Sequence, residues 1–296
     1  MLLDLIKQVF LTNSCQELLI NGSVIVTKIR PDGTSESEAS PFSHEEEAIA
    51  AIREFCWSQS IRLDPLLPSA GSVMTLGSLS LRWHVIIPPM SFGVGLISVR
   101  RQGNLTWDLS AFTQDEVCRM QLEALKGASI VLFGGETGSG KTTLLSHLAK
   151  RFFGEQRVFI IETVPELERV SSHWIQLVTQ ESLVDGTGQV TCSDLLFQSL
   201  RMRPDRYIFG EIRGPEAKDL FHLMSSASAG VWSTIHTNSP EVALQRLSLL
   251  SGISLSEWQS FLGRSGACYV QLSRRDPRVT GIYQYNPDGV HKIYEL

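Results

Sequence analysis

Gly134-Gly135-Glu136-Thr137-Gly138-Ser139-Gly140-Lys141-Thr142-Thr143 is the stretch on which the reading of this chain turns. Gly135, Gly140, Lys141 and Thr142 fit the phosphate-loop pattern G-x-x-x-x-G-K-[ST]. The pattern carries weight only between a strand and a helix. Ser129 to Phe133 is an apolar run short enough for a buried parallel strand. Thr143 to Phe153 places Leu144, Leu145, Leu148 and Phe152 at helical spacing, with Gly154 as the expected C-cap.

The residue types suit an anion. Glycines let backbone N–H groups turn around phosphate oxygens with no Cβ in the way, and the helix that follows points its positive end at the same place. On this reading Gly135, Glu136, Thr137, Gly138, Ser139, Gly140, Lys141, Thr142 and Thr143 cradle a nucleoside triphosphate. Lys141 reaches the β- and γ-phosphates, and the Thr142 hydroxyl binds Mg²⁺.

Working outward, strands and helices alternate from Ser129 to the C-terminus, the mark of a mainly parallel sheet covered by helices. Strands are expected at Val158–Ile161, Trp174–Val178, Tyr207–Phe209, Val231–Ile235, Ala267–Leu272 and Gly281–Tyr294. Helices are expected at Asp194–Met202, after Pro215, and from Ser239-Pro240 to Leu250. In open α/β sheets, ligands sit beyond the carboxyl ends of the strands. Three strands after the phosphate-loop strand end in a candidate functional group: Glu162, Glu211 and His236. A carboxylate there can hold Mg²⁺ through water, or align or deprotonate an attacking water, and a histidine can contact a γ-phosphate. Arg201, Arg203, Arg206 and Arg213 flank Glu211.

Upstream, residues 1–105 read as a smaller α+β domain, and 106–296 as the nucleotide-binding domain. Met1–Leu11 forms a helix with one apolar face, Glu17–Ile29 a hairpin, and Arg30–Pro41 a polar loop. Ser43 with Glu46 is a capping box that opens a helix, and Thr113 with Glu116 is a second. Asp64–Gly71 reads as loop, Leu79–Ile87 and Leu96–Arg100 as strands.

Composition narrows the class. The chain has 296 residues and a formal net charge of −5, from 26 basic and 31 acidic side chains, which argues against direct nucleic-acid binding. Its five cysteines form no C-x-x-C pair, so neither a zinc ribbon nor a disulfide framework is expected, and a reducing cytoplasm fits. The N-terminus carries Asp4 and lacks a basic segment, unlike a signal peptide, and no apolar run approaches the ~20 residues of a membrane span. Any membrane association is therefore expected to be peripheral.

Taken together, these motifs resemble the ATPases of type II and type IV secretion systems and type IV pili, nearest to the conjugative and tight-adherence-pilus branch. The resemblance rests on GGETGSGKTT, on Ile161-Glu162-Thr163-Val164-Pro165-Glu166-Leu167 as an aspartate box, on the segment from Leu200 to Ala217 around Glu211, and on the histidine box Ser233 to Pro240. It extends to Leu18–Ser23, Leu81–Arg101 and VQLSRRDPR near the C-terminus. Thr163 stands where the family carries aspartate, and the tetracysteine zinc site of type II enzymes is absent.

The resemblance implies an α/β fold: a RecA-like P-loop NTPase C-terminal domain behind the smaller N-terminal domain. It implies ATP and Mg²⁺ as ligands, with Thr142 and Glu211 toward the metal, Glu162 as catalytic base and His236 as the histidine-box group. Arg203 and Arg213, with Arg100 and Arg101 from the N-terminal domain, would complete the site between domains. It further implies a homo-hexamer in the cytoplasm, docked on the inner-membrane platform of a secretion or pilus machine. Two other functions fit the residues less well: a nucleotide-gated scaffold with little turnover, suggested by Thr163, and a nucleic-acid translocase.

Overall fold

The structure is a computed structural model that describes residues 1–12, 15–102, 108–180, 188–226, 229–275 and 278–296. The chain divides into two compact units, Met1–Leu105 and Thr106–Leu296.

In the first unit, helices α1 (Leu2–Thr12) and α2 (Glu45–Ser58) accompany a six-stranded sheet. Its strands are β1 (Glu17–Asn21), β2 (Ile25–Ile29), β3 (Ser35–Ala39), β4 (Ser69–Leu76), β5 (Leu79–Ile86) and β6 (Leu96–Gln102). The order is β3-β2-β1-β6-β5-β4, and every pairing is antiparallel. Leu2, Ile6, Val9 and Phe10 of α1, and Ala48, Ile52 and Phe55 of α2, share one core with Leu18, Leu81, Trp83 and Val99 of the sheet. Phe55 meets Trp83 edge-on at 5.0 Å.

Three expectations fail in this unit. The polar stretch read as a loop contains β3, whose five residues are all exposed. An edge strand with no buried face has no apolar alternation to show. It is held by its ladder to β2 and by cross-strand pairs, Lys28–Glu38 at 2.7 Å and Arg30–Glu36 at 3.2 Å. β4 likewise begins inside the stretch read as loop. The N-cap of α2 is His44, whose Nδ1 accepts from the Glu47 N–H, one residue beyond the serine expected.

The second unit holds α3 (Glu116–Ala124), β7 (Ile130–Gly135), α4 (Lys141–Phe153), β8 (Val158–Glu162), β9 (Trp174–Val178), α5 (Cys192–Ser199) and β10 (Arg206–Phe209). It continues with α6 (Glu216–Ser226), β11 (Gly230–Ile235), α7 (Pro240–Ser251), α8 (Leu255–Ser265), β12 (Cys268–Leu272), β13 (Val279–Asn286) and β14 (Gly289–Glu295). Eight strands form one sheet in the order β14-β13-β12-β7-β11-β10-β8-β9. From β12 to β9 every pairing is parallel, and β13 and β14 return antiparallel.

β7, β8 and β11 are buried at every position, as parallel strands covered on both faces must be. Their side chains alternate between two cores. Val131, Phe133 and Trp232 face Leu122 of α3 and Leu144, Leu148 and Phe153 of α4. Ile130, Leu132 and Val231 face Leu220 of α6, Leu247 of α7 and Trp258 of α8. Arg206 is drawn into this packing: its guanidinium lies 3.8 Å from the Phe153 ring centroid and donates to the Ala128 carbonyl at 3.2 Å. It braces the sheet's amino-terminal edge.

Helix α8 was not foreseen, although Ser254 and Glu257 form its capping box. The N-cap of α3 is Asp115, which accepts from Val117 and Cys118; Thr113 instead accepts from the Asp115 N–H. Gly154 closes α4 in a right-handed conformation, φ −54°, so no left-handed cap is formed there.

Gly263 in α8 marks where that helix meets β13: a Cβ there would lie 2.6 Å from the Asn286 carbonyl atoms. Helix propensity alone favours Gly263→Ala by about 1 kcal/mol, whereas forcing a methyl against backbone costs about 1–3 kcal/mol. Overpacking should win. Gly263→Ala is expected to lower the unfolding temperature by a few degrees in a thermal melt, and an unchanged or higher midpoint would show that the helix and strand separate freely.

Candidate nucleotide site

The sheet register places the candidate groups along one edge. Ile235 pairs with Gly134, Phe209 with both Ile161 and Ser233, and Leu272 with Gly135. The residues after these positions therefore leave the sheet side by side.

From β7 the chain turns through the glycine loop into α4. Gly135 has φ +152° and Gly140, the N-cap, has φ +92°, conformations that side-chain-bearing residues rarely adopt. Gly134 leaves room for Tyr269: a Cβ would lie 1.8 Å from the phenol oxygen. That phenol donates to Gln271 Oε1 at 2.7 Å and lies 3.2 Å from the Thr237 carbonyl, and so links β12 to the histidine segment.

Lys141, only 6% exposed, turns back on its own loop. Its Nζ donates to the carbonyls of Gly135 and Glu136, both at 2.8 Å, and lies 3.4 Å from His236 Nδ1. Burial drives its pKa down to about 8, against a smaller opposing pull from Glu211. A buried ammonium held by two neutral carbonyls lacks a full counter-charge. The Ser139 hydroxyl is also buried and has no hydrogen-bond partner among the described residues. Both features suit a loop that receives an anion with several acceptor oxygens.

His236 continues the row. Its Nε2 faces Glu211 Oε1 at 3.1 Å, and Glu211 Oε2 is paired with Arg213. Burial, then the Lys141 charge, lower the His236 pKa. A neutral ring with its proton on Nε2 satisfies both neighbours: Nδ1 accepts from Lys141, and Nε2 donates to Glu211. The loop carrying Glu211 is fixed from two sides. The Ile212 N–H donates to the Thr234 carbonyl at 3.0 Å, and Glu216 accepts from the N–H groups of Arg213 and Gly214 at 2.7 and 2.8 Å. Lys141, His236, Glu211 and Arg213 thus form one connected line of charge.

Glu162 does not join it. The side chain is buried, and Oε1 accepts from the N–H groups of Glu166 and Leu167 at 3.0 and 3.1 Å. Oε2 accepts from Gln176 at 2.8 Å. Burial raises its pKa to about 7, with those hydrogen bonds opposing. In this geometry the carboxylate anchors the turn after β8. The turn it anchors carries Glu166, whose exposed side chain acts electrostatically on both Lys141 and Arg213. Sequence reasoning passed over Glu166, the second acidic residue of the same box.

Arg203 precedes β10 at the amino-terminal edge of the sheet, opposite the phosphate loop. Arg101, in the first unit, donates to the Phe10 carbonyl at 3.0 Å and lies 6.0 Å from the Phe10 ring, which gives it a structural task. Arg100 in β6 is exposed. Thr142 and Thr143 lie half-buried in the first turn of α4. Among the described residues no cluster of three or more His, Cys, Asp or Glu could hold a metal alone. Any Mg²⁺ here would therefore take the Thr142 hydroxyl, Glu211 directly or through water, and oxygens of the nucleotide itself; that donor set suits a hard cation.

Because the folded Glu162 holds its proton to about pH 7 and an unfolded one loses it near 4.5, its contribution is full below 4.5 and is lost as pH rises through 7. Glu162→Gln should therefore flatten the stability difference between pH 5 and pH 8 by roughly 2 kcal/mol in urea unfolding. An undiminished pH slope would show that this carboxylate is not desolvated.

With this geometry in view, the relatives can be placed. The family described as "Type II/IV secretion system protein" matches residues 67–260. A Mycobacterium tuberculosis protein named for conjugal transfer is 30% identical over 224 residues, 72% of this chain and 64% of that protein. The chain therefore spans less than two thirds of that relative's length. The type IV secretion system protein PtlH of Bordetella pertussis is 36% identical over 138 residues, 46% of this chain and 40% of its own. Among solved structures, the pilus retraction motor PilT with bound ADP superposes with a TM-score of 0.65 at 16% identity, covering 95% of this chain and 81% of that one. The likeness to PilT supports the shared α/β fold with an N-terminal unit and a RecA-like C-terminal unit, and on the family match and the conjugal-transfer relative this chain belongs to the type II/IV secretion system protein family.

Proposed function

We propose that this chain is a Mg²⁺-dependent ATP hydrolase that powers type IV secretion or pilus assembly as a cytoplasmic homo-hexamer docked on an inner-membrane platform. The observation that carries the reading is the connected row Lys141, His236, Glu211 and Arg213 beside a left-handed glycine turn at the start of α4. The names of the relatives, a conjugal transfer protein and a type IV secretion protein, support the wider role. Among the described residues no helix is long and apolar enough to cross a membrane, so docking is assigned to surface contacts. We take the two units, 1–105 and 106–296, as the two domains of the subunit.

In this proposal the loop amides and the N-terminus of α4 grip the β-phosphate. Lys141 leaves the Gly135 and Glu136 carbonyls and turns to the phosphate oxygens, which restores the counter-charge its burial removed. Mg²⁺, when bound, would neutralise charge on the β- and γ-oxygens. Glu211, held by His236 and Arg213, would be the carboxylate that faces the metal ion. Glu166 is assigned as the carboxylate that takes a proton from the attacking water, a role supported by its electrostatic influence on Lys141 and Arg213. His236 couples Lys141 to Glu211, so a change at the γ-phosphate alters both ends of that line. Arg213 supplies positive charge within the subunit.

Steady-state ATP turnover tests the assignment. Lys141→Ala and Glu211→Gln should each abolish it, and Glu166→Gln should lower kcat by roughly 100-fold or more. Glu162→Gln keeps the Oε1 acceptor for the turn and should retain most activity. Full activity in the Lys141 or Glu211 variant would refute an ATPase at this site. Loss in Glu162→Gln with normal activity in Glu166→Gln would return the base to Glu162. Negligible turnover in the wild-type protein that still binds nucleotide would identify a nucleotide-gated scaffold.

A further inference from the structure

The phosphate loop is contacted by a part of the chain more than a hundred residues away. The turn that follows β12 sends Arg274 to it. Arg274 Nε donates to the Thr137 carbonyl at 2.5 Å and lies 3.6 Å from Glu136 Oε2. A Cβ on Gly138 would come within 3.8 Å of the same Nε, and one on Gly135 within 2.5 Å of the Leu272 carbonyl. At the far end of the turn, Arg278 Nη1 would lie 3.4 Å from a Cβ on Gly140. Gly135 thus lies against Leu272 at the end of β12, Glu136, Thr137 and Gly138 beside Arg274, and Gly140 near Arg278.

An exposed ion pair of this kind ordinarily adds little stability, and Arg274 is 60% exposed. Its acceptors distinguish it. Both belong to the loop that must be ordered for a phosphate to be gripped, and that loop is rich in glycine, the residue that loses most conformational entropy on ordering. A hydrogen bond to the Thr137 carbonyl fixes a peptide group inside the loop and leaves the N–H groups to point inward.

We propose that Arg274 is a positioning residue for the nucleotide: it braces the phosphate loop through Thr137 and Glu136, so that the cradle is ordered before the ligand arrives. The inference rests on the nucleotide reading above, and it assigns Arg274 to the loop rather than to the phosphates. The consequence is an affinity effect that originates in the empty protein. With part of the ordering already done, less binding free energy is lost to it.

Two measurements on the full chain test the brace. Binding of a fluorescent ADP analogue with Mg²⁺ should weaken by about tenfold in Arg274→Gln, the size expected for one charge-assisted hydrogen bond, with KM for ATP rising by more than kcat falls. Arg274→Lys, which keeps a donor and the charge, should recover most of that loss. Hydrogen exchange of the nucleotide-free protein should show faster exchange of the amides from Glu136 to Thr143 in Arg274→Gln than in wild type. Because Arg274 is largely exposed, the variant should remain folded, and the exchange of β7 serves as the internal control. Unchanged loop exchange overturns the brace, even if affinity falls, since that combination marks a direct phosphate contact. Failure of the wild-type protein to bind the analogue overturns the nucleotide reading instead, and the exchange comparison still decides the brace.

Discussion

The second unit is arranged around a buried ammonium that lacks a full counter-charge. Lys141 lies under its own loop, bonded to two carbonyls, in a place where burial has already lowered its pKa to about 8. Keeping a cation there is costly unless an anion can reach it. The fully buried strand β7 fixes where the loop begins, and α4 fixes where it ends. Both are held by the aromatic packing of Phe133, Phe153 and Trp232. The apolar core thereby sets the electrostatics of its edge.

Around that cation the order of strands distributes the work. β11 stands next to β7 in space and β10 next to β11, although β8 follows β7 in sequence. His236 and Glu211, at the ends of β11 and β10, consequently reach Lys141 in a line, while Glu162, one strand farther out, serves the local turn. Two carboxylates at strand ends thus acquire different tasks from their distance to one charge. Glu211 is half-buried and paired with Arg213 and the His236 ring; Glu162 is buried and surrounded by neutral donors.

Much of this was legible in the residues. The phosphate loop could be read because an apolar run and a helical period bracket it, and Glu211 and His236 because each follows a short strand. What escaped had physical reasons. β3 has no buried face, so its sequence carries no alternation. Arg203 and Arg213 both flank Glu211 in sequence, but a strand lies between them, and the sheet carries them to opposite edges. Glu162 and Glu166 are four residues apart in one motif; only the folded turn shows which of them binds backbone amides. Tyr269 and Arg274 reach the loop from β12 and the turn after it, a proximity created by sheet order alone.

The claim that Lys141 awaits a polyphosphate is tested most directly by counting protons. Calorimetric titration of the protein with ADP and Mg²⁺ at pH 8, repeated in buffers of different ionisation enthalpy, gives the protons taken up per site. With Lys141 near half-protonation in the empty protein, the account predicts uptake of about half a proton on binding, lost in Lys141→Arg, whose guanidinium stays charged. Tight binding with no proton uptake in the wild-type protein would contradict it.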